Sequence, residues 1–401
     1  MAAIPRYRRW QGPALFAAGY RPFFLFSALW AAFAVPLWIA LFSGALVPPM
    51  SLPPMIWHVH EMVFGFAAAT VAGFLLTAIP NWTGRMPLQG APLIALVLLW
   101  LAGRMACLAA GVIGPTATAA LDLAFPVAFL GVVAREIIAG RNWRNLPMLG
   151  ALSSLLVANF LVHLEALRGV SSAALGNRWG VATLLALISL IGGRIIPSFT
   201  RNWLVRQRPE IALPAPFGMI DRAALASTLV ALIFFVVDPG GRALPWAALA
   251  AGVMLSLRLR RWRGLAALRE PLLIVLHLGY GWLAFGFLLL ALDAFLPWLP
   301  QSSALHALTV GAIGTMTLAV MTRATLGHSG RPLTAGVGTV AIYGLITLAA
   351  LLRLSAPFAG VHYLHALALA GIAWSAAFLL FAALYAPLLV RPRTRVHAAA
   401  E

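Results

Sequence analysis

Nine histidines punctuate a chain of 401 residues that is 62% apolar and only 9% charged. Eight of them fall in or beside long apolar stretches. Imidazole is costly in lipid unless something binds it, and it is the commonest protein ligand for metals. Two stand in Trp57-His58-Val59-His60-Glu61-Met62, His163 and His306 stand alone, and His362 and His365 are three apart. These six are the candidate metal ligands. At about 100° per helical residue, His362 and His365 share a face, as do His58 and Glu61, whereas His58 and His60 diverge. The last two therefore suit two neighbouring centres, or one ligand and one supporting group, unless the chain is irregular just after Pro54. Glu61 could ligate, orient a histidine or relay protons, and it is the candidate catalytic group.

The remaining polar groups allow more than one reading. Arg104 and Arg353 could hold the carboxylates of a bound prosthetic group such as haem. Arg104 could equally pair with Glu61 or Asp122. His277 and Tyr280, three apart, form either a proton-path pair, a further ligand set or a packed, hydrogen-bonded unit. His163 stands beside Glu165 and Arg168, where its helix is about to end. His328 reads as a loop residue and His397 as solvated. A single cysteine, Cys107, excludes an internal disulfide, a CxxC redox pair, covalent CxxCH haem attachment and cysteine-ligated iron–sulfur clusters. No Walker loop and no GxGxxG motif occur, so nothing points to ATP-driven transport or dinucleotide binding.

The elements that must position these groups are membrane spans, since so few charges cannot clothe a soluble domain. Twelve apolar stretches of roughly 20 residues are expected, near 22–45, 57–79, 91–112, 118–139, 146–167, 179–199, 216–237, 243–259, 271–296, 303–325, 335–354 and 362–389. Together they predict an all-α polytopic fold, one twelve-helix domain over 1–390 with a polar tail over 391–401. All 28 basic residues are arginine. With the N-terminus in the cytoplasm, 23 of the 28 fall on inner segments, as the positive-inside rule requires. Both termini are then cytoplasmic. The arginine-rich start (Arg6, Arg8, Arg9) reads as the flank of a retained first span, not of a removable signal. The net charge of +18 is dispersed between spans and does not indicate nucleic-acid binding. Fourteen tryptophans mostly near span ends read as interface anchors. On this topology His58, His60, His163, His306, His362 and His365 share one depth near the outer face, and a single cofactor-holding cluster is expected there.

The inner ends of spans two, six and ten also resemble one another: Leu-Leu-Thr-Ala-Ile-Pro-Asn-Trp-Thr-Gly-Arg (75–85), Gly-Arg-Ile-Ile-Pro-Ser-Phe-Thr-Arg-Asn (193–202) and Leu-Ala-Val-Met-Thr-Arg-Ala-Thr (318–325). Such spacing fits three repeated four-helix arcs, as in the catalytic subunit of haem–copper oxidases. Small polar residues and arginine at inner helix ends account for it as well.

Gly-Tyr-Arg-Pro-Phe-Phe-Leu (19–25), Trp-His-Val-His-Glu-Met-Val-Phe-Gly-Phe (57–66), Gly-Phe-Leu-Leu-Thr-Ala-Ile-Pro-Asn-Trp-Thr-Gly (73–84), Leu-Trp-Leu-Ala-Gly-Arg (99–104), Gly-Gly-Arg-Ile-Ile-Pro-Ser-Phe-Thr-Arg-Asn (192–202) and the run from His306 to Arg331 carry a resemblance. Over about 19–335 the chain resembles the NnrS family of bacterial inner-membrane proteins. The resemblance implies non-covalent b-type haem, copper and a link to nitric oxide and nitrosative stress. It places His58, His60, Glu61, Arg104, His277, His306, Arg323 and His328 at motif positions. An enzyme of this kind would be an oxidoreductase acting on nitric oxide and fed by a quinol or a periplasmic protein. A nitric-oxide sensor without turnover and a twelve-helix small-molecule transporter are the rival expectations.

Overall fold

The computed structural model describes residues 10–47 and 52–392. Arg6, Arg8, Arg9 and His397 lie outside them. The described residues form helices joined by short turns, and twelve of these helices match the expected spans: α1 (Tyr20–Phe42), α2 (Pro54–Thr83), α3 (Ala91–Leu108), α4 (Pro115–Ala139), α5 (Trp143–Arg168), α6 (Ala173–Gln207), α7 (Met219–Val237), α8 (Ala243–Arg260), α9 (Pro271–Asp293), α10 (Gln301–His328), α11 (Val337–Phe358) and α12 (Gly360–Val390). Eleven are long and apolar enough to cross a membrane, and the protein is a polytopic α-helical membrane protein. The exception is α8, whose last turn carries Arg258 and Arg260, though it packs against α7 and α9.

Local chemistry explains the boundaries. Proline opens α2, α4 and α9, where a helix has no use for the missing N–H. Gly84 and Gly169 close α2 and α5 in the left-handed conformation, at φ of 71° and 67°. Glu165 reaches past the end of α5: its Oε2 accepts the Ser172 and Ala173 amides at 3.0 and 2.9 Å, which starts α6. The helix carrying His163 ends at Arg168, within a residue of the expected span. His328 is likewise the last residue of α10 and not a loop residue.

The chain packs as two compact units. The first comprises residues up to Gly180, Arg323–Pro332 and the chain from Phe381 on; the second comprises Val181–Thr322 and Leu333–Leu380. Seven tryptophans (30, 38, 57, 100, 262, 282 and 374) are buried, so half of the expected interface anchors are core residues. Three spans share a backbone irregularity. Wide π-helical turns occupy Glu61–Ala67 in α2, Ile188–Gly192 in α6 and Ala307–Gly314 in α10. These are the same three spans whose ends resemble one another in sequence.

In the second unit a buried ion pair ties α7 to α8. Arg258, 1% exposed, donates from Nε to Asp221 Oδ1 at 2.9 Å, and from Nη1 to the Ser189 carbonyl (3.0 Å) and the Tyr280 hydroxyl (2.9 Å). Asp221 Oδ2 also accepts the Gly218 amide and Arg261 Nη1. Tyr280 is thus spent on Arg258. His277 instead donates from Nδ1 to Leu273 O at 3.0 Å, with Nε2 3.5 Å from Thr200 Oγ1. Asp221→Ala strands the Arg258 charge, and is expected to lower stability by about 3–5 kcal/mol, measured by denaturant unfolding of the purified protein in detergent.

Candidate metal centre

The first unit holds a buried polar cluster assembled from five helices. Four of its members are candidate ligands: one nitrogen, sulfur or carboxylate oxygen from each of His60, Cys107, Asp122 and His163 lies within 4.8 Å of the others, and all four residues are buried. Around them stand Glu61, Arg104, Asn159 and Trp30. His60 closes the α-helical opening of α2, and Glu61 begins the π-helical stretch. The wide turn leaves the Gly65 carbonyl to accept Trp100 Nε1 at 2.9 Å.

Two glycines make the assembly possible. A Cβ on Gly65 would lie 2.7 Å from Glu61 Oε2 and 2.9 Å from both Arg104 Nη1 and Trp30 Nε1. A Cβ on Gly103 would lie 2.9 Å from Asp122 Oδ1, which lets α3 approach α4 at that level.

Arg104 bridges the two acids. Its Nη1 donates to Glu61 Oε2 at 2.5 Å and its Nη2 to Asp122 Oδ1. Trp30 Nε1 donates to Glu61 Oε2 at 2.9 Å. Glu61 Oε1 accepts from His60 Nδ1 at 3.0 Å. Asp122 Oδ2 faces Asn159 Nδ2 at 2.8 Å, His163 Nε2 at 2.9 Å and His60 Nε2 at 3.2 Å, and Asn159 Oδ1 lies 2.9 Å from His60 Nε2. Every polar atom facing the His60 ring is an acceptor: Glu61 Oε1, Asp122 Oδ2 and Asn159 Oδ1. A proton on Nδ1 serves Glu61, and Nε2 is the nitrogen that faces Asp122 and Asn159.

A cavity of about 20 Å³ adjoins the cluster, enough for one water-sized occupant. Arg104, Asp122 and Asn159 form its polar end, and Phe64, Phe125, Phe129 and Leu155 are among its apolar walls.

The six expected histidines are divided between the two units. His60 and His163 meet in the first unit. His58 is turned away by the helical phase, because 57–60 is regular helix, and its ring stacks on Trp38 at 4.1 Å. His306, His362 and His365 belong to the second unit. His306 donates from Nδ1 to Ser302 O at 2.6 Å, while His362 and His365 are exposed with ring centroids 6.0 Å apart. Both terminal nitrogens of Arg104 contact Glu61 and Asp122, the ion-pair alternative. Arg353 is buried, Arg323 is half-buried in α10, and the exposed His328 ring lies 5.4 Å from that of Tyr20. Sequence reading missed Asp122, Asn159 and Cys107 as site members. The signal was there for Asp122: an acid well inside an apolar span is a functional group by default.

The comparisons with known proteins agree with the motifs. The family model described as NnrS protein matches residues 14–393. The chain belongs to the NnrS family. No curated protein matches it. The match takes in every residue of the cluster.

Two substitutions test the packing. Gly65→Ala drives a methyl into Glu61, Arg104 and Trp30 and is expected to cost about 1–3 kcal/mol, and Arg104→Gln leaves two buried carboxylates short of a charge and is expected to cost about 3–5 kcal/mol, both in denaturant unfolding. His58→Ala, outside the cluster, is expected to cost less than either.

Proposed function

We propose that this NnrS protein holds copper at His60, Cys107, Asp122 and His163 and binds nitric oxide beside it. The observation that carries the reading is the convergence of those four ligand atoms within 4.8 Å in the first unit. Two imidazoles and a thiol favour copper over hard cations, and the carboxylate completes a four-donor set. Haem does not fit this cluster: the adjoining cavity is water-sized and the arginine is committed to protein carboxylates. Copper bound here would supply a redox-active centre able to bind nitric oxide. Glu61 is then a positioning residue. By accepting the Nδ1 proton it turns His60 Nε2 toward Asp122, the carboxylate–histidine arrangement that orients metal ligands. Trp30 and Arg104 hold Glu61 in place, and the apolar walls exclude bulk water.

Nitric oxide is small and apolar and partitions into lipid, which suits a cavity walled by Phe64, Phe125, Phe129 and Leu155. The arginine distribution supports an inner-membrane setting with cytoplasmic termini and a centre toward the periplasmic side. Protection from nitrosative stress follows from binding, and reduction would add a quinol or periplasmic electron donor. Donor oxidation that depends on nitric oxide under anaerobic conditions distinguishes an oxidoreductase from a binding protein.

Metal analysis of the purified protein is expected to find about one copper per chain, with His60→Ala, His163→Ala and Cys107→Ser each losing most of it. Absence of bound metal from folded wild-type protein would sink the reading. Ala68→Leu, which fills the cavity, is expected to slow nitric-oxide association about tenfold or more with copper content unchanged, measured by rapid mixing.

A further inference from the structure

Three helices of the second unit meet at one end: α7 opens at Met219, α8 closes at Arg260 and α9 opens at Pro271. Two loops cover that end, and hydrogen bonds tie them together. The Ala215 amide donates to Arg261 O at 3.2 Å, and Arg261 Nη2 donates to Pro216 O at 3.0 Å. The loop after α8 is pinned along its inner side. Trp262 is buried against Tyr280, with ring centroids 4.5 Å apart, and Ala267 is buried as well. Gly264 approaches α9 so closely that a Cβ there would lie 2.5 Å from His277 Cδ2. Arg263, at φ of 58°, turns the chain between these anchors.

The outward side of these loops mixes apolar and basic groups. Leu265 is 85% exposed and Leu268 64%, and beside Arg261 Phe217 and Met219 are 62% and 74% exposed. Arg260, Arg263 and Arg269 alternate with the leucines and are exposed too. The acids nearby are committed to protein groups: Asp221 accepts from Arg258 and Arg261, and Glu270 Oε1 accepts the Leu272 amide that starts α9. Helix length sets the depth of this face. The 19 residues of α7 rise about 28 Å, just short of the roughly 30 Å hydrocarbon core. The loops at its Met219 end therefore lie where acyl chains give way to headgroups. Four large apolar side chains gain nothing from water there, whereas leucine can reach hydrocarbon and a guanidinium fork fits a phosphate.

We propose that this loop pair is a docking surface for anionic phospholipid. Leu265 and Leu268 enter between acyl chains, with Phe217 and Met219 beside them, while Arg260, Arg263 and Arg269 hold headgroup phosphates. Arginines scattered among loops only decide which side of a membrane those loops stay on. Here three of them flank exposed leucines on a loop that Trp262, Gly264 and Arg261 hold in a fixed shape, so charge and apolar surface are presented together. This surface does not depend on copper in the first unit.

Two measurements on the full chain test it. Leu265→Cys and Leu268→Cys can each be spin-labelled selectively, because Cys107 is buried. In vesicles of phosphatidylcholine and phosphatidylglycerol, the labels are expected to relax more with oxygen, which concentrates in lipid, than with a water-soluble nickel chelate. The second measurement compares phosphatidylglycerol retained through purification, by native mass spectrometry. Replacing Arg260, Arg263 and Arg269 together by glutamine should lower it about tenfold or more, and replacing all three by lysine should preserve most of it, because the charge is kept. Labels that meet the chelate more than oxygen overturn the proposal and leave the face to water or to an acidic soluble protein. Undiminished phosphatidylglycerol in the folded glutamine variant overturns it as well. If that variant does not fold, the label accessibilities decide alone. Neither measurement reads copper, so failure here is distinct from failure of the copper reading.

Discussion

Arg104 is the group on which the first unit depends. It reaches from α3 to an acid on α2 and an acid on α4, so one guanidinium links three helices in a medium that penalises every unpaired charge. Asp122 extends the linkage to α5 by facing Asn159 and His163. Trp30 brings in α1. Hydrophobic burial cannot select this arrangement, because lipid is as apolar as the side chains it would replace. Polar satisfaction and close packing have to do so, and that is why Gly65 and Gly103 stand where a methyl group would collide.

The second unit solves a similar problem differently. Its buried Arg258 takes an acid from α7, a carbonyl from the π-helical turn of α6 and a phenol from α9. Asp221 serves simultaneously as helix cap and counter-ion. The unit thereby joins four helices with a single buried acid, at the end of α8, whose last turn carries Arg258 and Arg260.

Much of this was legible in the amino-acid order. Apolar runs broken by proline and glycine located the twelve helices, because lipid demands long helices and turns demand special backbones. The 100° rule separated His58 from His60 correctly, and the histidine–glutamate pair marked the right turn of α2. The complete cluster was not legible. Whether His163 meets His60 depends on how α2, α4 and α5 are rotated against one another, and a depth assignment says nothing about rotation. For the same reason equal depth could not say which of the six histidines would meet. Cys107 reads as a small apolar residue until Arg104 and Asp122 place it beside two imidazoles. The π-helical turns left no mark strong enough to recognise in a single span.

Those wide turns act as phase shifters. A π-helical turn accommodates one residue more than the α-helix around it, so the helix on either side is offset by about 100° from where an unbroken α-helix would set it. In α2 the offset lies between His60 and the stretch from Ala68 to Thr83. Losing a single residue there would leave composition and hydropathy untouched, yet it would swing the imidazole toward lipid or turn Leu75, Leu76 and Ile79 out of their packing. The length of that segment is therefore under as tight a constraint as its chemistry.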